Sequence, residues 1–273
     1  MRATVRGVLH KAYRRMRRSS GPPAITPPVW RAVERGPLAG LVFFLPGGRN
    51  APWADRIRAG DYEPATLDVL TDLARGGGVL YDIGAHIGFY SCAWMRLGGA
   101  RVEAFEPLPS TARVLRRTLA RNKLDKAVHI HNVALGDFAG PGRMMADESD
   151  LGAASAAYLR EIGPPDLLHD LPGFTPGAGP TVAVHRLDDF VAAHDLPRPA
   201  VLKLDVEGAE ARVVAGASRL IATCRPALLC EVHTIDAGLA LAHQLALAGY
   251  RLRILGKNGV QPACLWTPTE RTP

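Results

Sequence analysis

From about residue 64 onward the chain alternates short apolar runs with amphipathic ones, and this alternation constrains the fold more than any other feature. Val79-Leu80-Tyr81-Asp82-Ile83 reads as a buried strand and Phe89 to Leu97 as the helix after it. Arg101 to Phe105 and Thr111 to Asn122 repeat the pair, and Val128 to Leu135 gives a third strand. Further along, Ala200 to Leu204 is a strand, Ala209 to Leu220 a helix, Ala227 to Val232 a strand and Gly238 to Ala248 a helix. Tyr250 to Leu255 with Ala263 to Trp266 closes the chain as a hairpin. Strands and helices alternating at this spacing predict an α/β fold with a parallel, doubly wound sheet, linked by right-handed crossovers.

Two regions stand outside this pattern. Residues 138–183 are rich in Gly and Pro with scattered acids, and read as a flexible insertion or lid beside the site. Residues 1–35 form a basic arm and linker, leaving 36–273 as the main domain. The protein carries 33 Lys and Arg against 26 Asp and Glu, a net charge of +7. Seven of those basic residues lie in the first twenty positions, where no acid occurs, so the body is neutral. A basic groove across the whole protein, as a dedicated nucleic-acid binder needs, is therefore not expected. Within the arm, Val5, Val8, Leu9, Ala12, Tyr13 and Met16 recur at helical spacing opposite the basic residues. Residues 1–18 can thus lie on an anionic membrane surface or remain a solvated arm; Gly21-Pro22-Pro23 and Pro27-Pro28 then read as a linker. No apolar run reaches the roughly 18–20 residues of a membrane span. The four cysteines show no CxxC spacing, and no apolar segment follows the basic start as in a secretory signal, so the expected setting is cytoplasmic.

Chemistry concentrates at the ends of the expected strands. Asp82-Ile83-Gly84-Ala85-His86-Ile87-Gly88 follows the first strand with G-x-x-x-G spacing, not the G-x-G-x-x-G of dinucleotide sites. Its glycines let a ligand approach the backbone, and an acid at Asp82 repels a pyrophosphate while suiting an ammonium group. Glu106, 22 residues beyond Gly84, ends the second strand, where a carboxylate can accept both hydroxyls of a ribose. Asn132-Val133-Ala134-Leu135-Gly136-Asp137 ends the third; there Ala134 borders an adenine ring and Asp137 can accept from its amine. Asp205 and Glu207 end the fourth strand, Glu231 and His233 the fifth. Asp205, Glu231 and His233 thus share one rim, where the imidazole can take a proton or the three can hold a divalent cation such as Mg. Glu207 and Glu210 also read as helix caps.

Taken together these stretches resemble the FkbM family of S-adenosylmethionine-dependent methyltransferases. The matching runs are VLYDIGAHIGFYS (79–91), VEAFEPLP (102–109), NVALGD (132–137), Leu187-Asp188-Asp189, LKLDVEGAE (202–210), Gly216-Ala217 and PALLCEVH (226–233), with Gly60-Asp61-Tyr62-Glu63 ahead of the first strand. The resemblance implies the class I methyltransferase fold, Rossmann-like and seven-stranded, with an antiparallel last strand. It implies S-adenosyl-L-methionine lying across Gly84, Ala85 and Gly88, its methionine amine near Asp82 and its ribose on Glu106. It also implies methyl transfer to a hydroxyl of a sugar, glycan or polyketide-type natural product. For that transfer His233 is the expected proton acceptor, with Asp205 or Glu231 orienting it or holding a metal. Nucleic-acid methylation and a non-catalytic scaffold that keeps the cofactor pocket are the alternatives.

Overall fold

The protein is described by a computed structural model covering residues 26–47, 52–145, 158–159, 179–258 and 261–270. A hairpin of β1 (Thr26–Ala32) and β2 (Val42–Gly47) comes first, then α1 (Pro52–Ala59) and α2 (Pro64–Ala74). The alternating part follows as β3 (Val79–Ile83), α3 (Phe89–Arg96), β4 (Arg101–Phe105), α4 (Pro109–Arg121) and β5 (Val128–His131). An intervening set comprises β6 (Ala134–Gly136), β7 (Gly140–Met145), β8 (Tyr158–Leu159), β9 (Thr181–Arg186) and α5 (Leu187–His194). The alternation then resumes as β10 (Val201–Leu204), α6 (Glu210–Gly216), α7 (Ser218–Cys224), β11 (Ala227–Glu231), α8 (Ile235–Leu247), β12 (Tyr250–Asn258) and β13 (Gln261–Pro268).

Seven strands form the main sheet in the order β12-β13-β11-β10-β3-β4-β5. The five from β11 to β5 run parallel, and β13 runs antiparallel to both of its neighbours. The expected doubly wound sheet with an antiparallel last strand is therefore the one observed. Its strands read as continuous apolar runs because both faces are covered. By alternation Leu80, Val102, Ala104 and Val201 pack on one face with Leu70, Trp94 and Leu115, while Tyr81, Ile83, Phe105 and Leu204 pack on the other with Val213, Leu220 and Leu241. The winding reverses between β3 and β10. In open α/β sheets a crevice opens at the carboxyl ends of the strands at such a switch point.

Several expected boundaries are corrected. The strand expected over Val128 to Leu135 stops at His131, because the Asn132 side chain donates to the carbonyls of Glu106 and Pro107 at 2.7 and 3.0 Å. The chain then leaves the sheet, and β6 pairs with β9 instead. The helix expected over Ala209 to Leu220 is two helices. Gly216 packs against β6 so closely that a Cβ there would lie 1.9 Å from the Gly136 carbonyl oxygen. Asp188, buried on α5, then caps α7 by accepting from the N–H groups of Arg219 and Leu220, each at 2.8 Å. The last helix starts earlier than expected, at Ile235, where Thr234 caps it by accepting from Ala237 N–H at 3.1 Å.

Pro27 and Pro28, read as linker, lie in β1 at a register irregularity between Thr26 and Val29, where no ladder bond is required of them. Asn122 at the end of α4 holds this hairpin, donating to the Val42 carbonyl at 2.8 Å and accepting from its N–H at 2.9 Å. The segment 138–183 is stranded at both ends, since β7 pairs antiparallel with β9. Residues 146–157 and 160–178 of the expected lid, and residues 1–25 of the arm, lie outside the described residues. All four cysteines are free and three are buried. No helix among the described residues is long and apolar enough to cross a membrane.

Candidate functional site

The loop after β3 is laid across the end of β4 by its own backbone. Gly84 and Ala85 both donate to the Phe105 carbonyl at 3.0 Å. His86 N–H donates to Glu106 Oε2, and Leu108 N–H to Glu106 Oε1, each at 2.9 Å. Gly84 has φ +82°, and a Cβ there would lie 1.9 Å from the Asp205 carbonyl oxygen, so the loop also presses on the end of β10. Over this junction lies a cavity of about 490 Å³.

Of the residues expected to bind cofactor, Gly84, Ala85, Glu106 and Ala134 line this cavity. Each Glu106 oxygen accepts one N–H and keeps a second lone pair for a ligand hydroxyl. Burial pushes Glu106 up to about 7, against the two N–H bonds that pull it down. Asp82, Gly88 and Asp137 do not line the cavity. Asp82 shares its strand parity with Leu80 and points toward α3; it is fully buried and accepts from Ser91 Oγ at 2.6 Å. Gly88 packs on Leu115, whose Cδ1 would lie 2.5 Å from a Cβ at that position. Asp137 leaves with β6 and pairs with Arg212 at 2.9 Å.

The rim at β10 and β11 brings Asp205, Glu231 and His233 together, one ligand atom of each within 4.8 Å of the others. Three further residues complete the cluster. Lys203, buried at the end of β10, donates to Asp205 Oδ2 at 2.9 Å and lies 4.6 Å from the Tyr90 ring centroid. Glu207 stands 3.6 Å from His233 Nε2, and Asp205 Oδ1 stands 3.5 Å from the same nitrogen. Glu210, fully buried at the start of α6, lies 2.7 Å from His233 Nδ1.

Burial lowers the His233 imidazole, but the bond to Glu210 and the charges of Asp205 and Glu207 outweigh it and raise the group to about 9. Burial and the Asp205 and Glu63 carboxylates raise Glu231 to about 8. Glu207 reaches about 7, again chiefly through burial. Asp205 is held below its usual range because Lys203 and His233 outweigh its burial.

A divalent cation on these groups would have to compete with a cation the chain already supplies. Asp205, which would have to be a principal ligand, already carries the Lys203 ammonium on one oxygen at 2.9 Å, and His233 Nε2 stands 3.5 Å from the other. Lys203 thus supplies a cation beside the place where a metal would sit.

Lys203, Glu63 and Glu210 are the members that strand-end reading missed. Glu63 takes a left-handed conformation at φ 45°, lines the cavity and accepts from Tyr90 OH. The signal for Glu63 lay in the Gly60-Asp61-Tyr62-Glu63 run, and that for Lys203 and Glu210 in LKLDVEGAE. Trp53 of α1, edge-on to His86 at 5.4 Å, and Gln261 also line the cavity; neither had a sequence signal. Five acids border the space, Glu63, Glu106, Asp205, Glu207 and Glu231, against the cations Arg56 and Lys203 and, when protonated, His233. In their ionised forms these carboxylates suit a cationic ligand and oppose a pyrophosphate.

Comparison with known proteins bears on the family and the fold. The Methyltransferase FkbM domain matches residues 82–252, well over half of the chain. The 31-O-demethyl-FK506 methyltransferase FkbM of Streptomyces tacrolimicus is 28% identical over 221 residues, covering 71% of this chain and 82% of that relative. The solved structure of methyltransferase FkbM from Methylobacillus flagellatus KT superposes with a TM-score of 0.50 at 19% identity. That match covers 70% of this chain but 43% of the other, so the chain spans less than half the length of that protein. A class I methyltransferase fold built around this cavity, with the family's domain running from Asp82 to Leu252, makes the chain a member of the FkbM methyltransferase family.

Proposed function

We propose that the protein is an S-adenosyl-L-methionine-dependent O-methyltransferase that acts on a hydroxyl of a sugar, glycan or polyketide-type natural product. One observation carries the reading: an acid-lined cavity at the β3–β10 switch point, with Glu106 at one strand end and His233 at another. Family membership supports the methyl transfer, and the Streptomyces tacrolimicus relative is named for an O-demethylated FK506. When bound, the cofactor supplies an electrophilic methyl on a sulfonium. The remaining work falls to the chain. Glu106 accepts the ribose hydroxyls, the acidic wall favours the positive charge, and the cavity aligns the acceptor oxygen in line with the methyl. In its neutral form, reached as pH rises toward about 9, His233 Nε2 would take the hydroxyl proton as the acceptor oxygen attacks, the cofactor being the methyl source and its thioether the leaving group. The imidazolium then releases its proton to water.

A phosphodiester acceptor meets the same acids that oppose a pyrophosphate, so a nucleic-acid substrate is disfavoured. With Lys203 already paired to Asp205, turnover is expected to continue undiminished in EDTA. The test is transfer of a labelled methyl group from S-adenosyl-L-methionine, using 31-O-demethyl-FK506 and a panel of glycosides as acceptors. Acceptor-dependent label in the product, lost in His233→Ala, supports the reading. Label that appears only on RNA or protein contradicts it.

A further inference from the structure

The six residues Asp205-Val206-Glu207-Gly208-Ala209-Glu210 form one turn whose geometry ends on a single contact. Glu207 and Gly208 are both left-handed, with φ 52° and 100°. This reversal brings Gly208 N–H onto Glu210 Oε1 at 3.0 Å and closes Ala209 N–H onto the Val206 carbonyl at 3.3 Å. The same oxygen, Glu210 Oε1, then lies 2.7 Å from His233 Nδ1. A helix cap facing solvent needs no such aim. Glu210 is wholly buried, and its other oxygen has no hydrogen-bond partner among the described residues. A buried carboxylate oxygen that already accepts one N–H can only accept the second bond too, so the proton on this side of the ring belongs to Nδ1.

We infer that Glu210 is a positioning residue: it locks His233 with Nδ1–H donated inward and Nε2 turned to the cavity as the nitrogen that exchanges the acceptor's proton. The inference rests on the methyl-transfer reading above and adds to it the group that orients the base, a role the sequence had suggested for Asp205 or Glu231. Asp205 lies on the other side. It faces Nε2 at 3.5 Å with Lys203 behind it, Glu207 faces Nε2 at 3.6 Å from the turn, and Glu231 ends β11 two residues before His233. Every negative group facing the ring favours its protonated form, and Glu210 does so through the shortest contact.

The test is a ring-nitrogen NMR titration of the full ¹⁵N-labelled chain, with His233→Gln to assign the signals and Glu210→Gln as the probe. A glutamine keeps the shape and the accepting oxygen but removes the charge. The expected result is a wild-type His233 that titrates to the Nδ1–H form and a midpoint lower by about one pH unit or more in E210Q. S-adenosyl-L-methionine affinity, measured on the same variant by calorimetry, is expected to stay at the wild-type level. An Nε2–H form above the midpoint, or a midpoint unmoved in E210Q, overturns the inference. Should E210Q fail to fold, the wild-type ring form decides alone. Failure of the wild-type chain to bind S-adenosyl-L-methionine contradicts the methyl-transfer reading instead, while the ring titration still decides whether Glu210 fixes the tautomer.

Discussion

A single methyl group at Gly84 would collide with the Asp205 carbonyl oxygen and would sit on a backbone with positive φ. Gly84→Ala is therefore expected to separate the β3 loop from the end of β10, costing about 1–3 kcal/mol of stability. Calorimetry should show that it also abolishes S-adenosyl-L-methionine binding. Glu106→Ala leaves the loop's glycine geometry intact but strips the carboxylate from the His86 and Leu108 amides, and should weaken cofactor binding at least tenfold. At this scale the sequence was legible at the strand ends: Glu106, Asp205, Glu231 and His233, at or just beyond the ends of β4, β10 and β11, all line the cavity. It was less legible where period 2 decides the face. Asp82 lies two residues before Gly84, yet its parity turns it toward Ser91 and away from the cavity, so Asp82→Ala acts on the loop only through the Ser91 and Lys203 network.

Elements carry the second level of control. The β1–β2 hairpin is held to α4 by Asn122, which satisfies both backbone groups of Val42, and by the guanidiniums of Arg117 and Arg121 over Trp30 at 5.6 and 4.9 Å. Asn122→Ala leaves a part-buried N–H and C=O unpaired, and should lower stability by about 1–3 kcal/mol in thermal unfolding without changing cofactor affinity. The alternation of apolar runs identified every strand of the main sheet and the helical links of β3 to β4, β4 to β5 and β10 to β11, because a parallel sheet buried on two faces writes itself as continuous hydrophobic segments. The breaks were hidden because their causes are tertiary. Nothing local in Ala209 to Leu220 shows that Gly216 must touch Gly136, or that Asp188 arrives from another helix to start α7. The strand ending at His131 likewise stops through an Asn132 side chain bonded to a turn twenty-five residues earlier in the chain.

For the molecule as a whole, the consequential property is a neutral body holding an acid-lined cavity. His233, raised to about 9 from 6.5, gives stability that is complete below its unfolded value and lost as pH rises through about 9. Glu106, Glu207 and Glu231 are raised to about 7, 7 and 8 from 4.5, so the folded protein keeps protons that the unfolded chain has released, and stability falls over the same interval. The imidazole and the carboxyls act in one direction. The unfolding temperature of the ligand-free protein should therefore decline steadily between about pH 5 and pH 9, and saturating S-adenosyl-L-methionine should flatten the decline by placing positive charge against the ionised wall. A ligand-free profile that is flat or rising over that range contradicts the charge arrangement. Net charge summed over the whole chain concealed this cavity, because the basic residues that set it lie in the arm.

The central claim, that the cavity at the β3–β10 junction holds S-adenosyl-L-methionine, is tested most directly by calorimetric titration of the full chain with that cofactor, beside NAD as the competing nucleotide. Saturable one-site binding of S-adenosyl-L-methionine, absent in Gly84→Ala and not matched by NAD, is the predicted result. A folded protein that gives no binding heat with S-adenosyl-L-methionine, or that binds NAD in its place, would contradict the account.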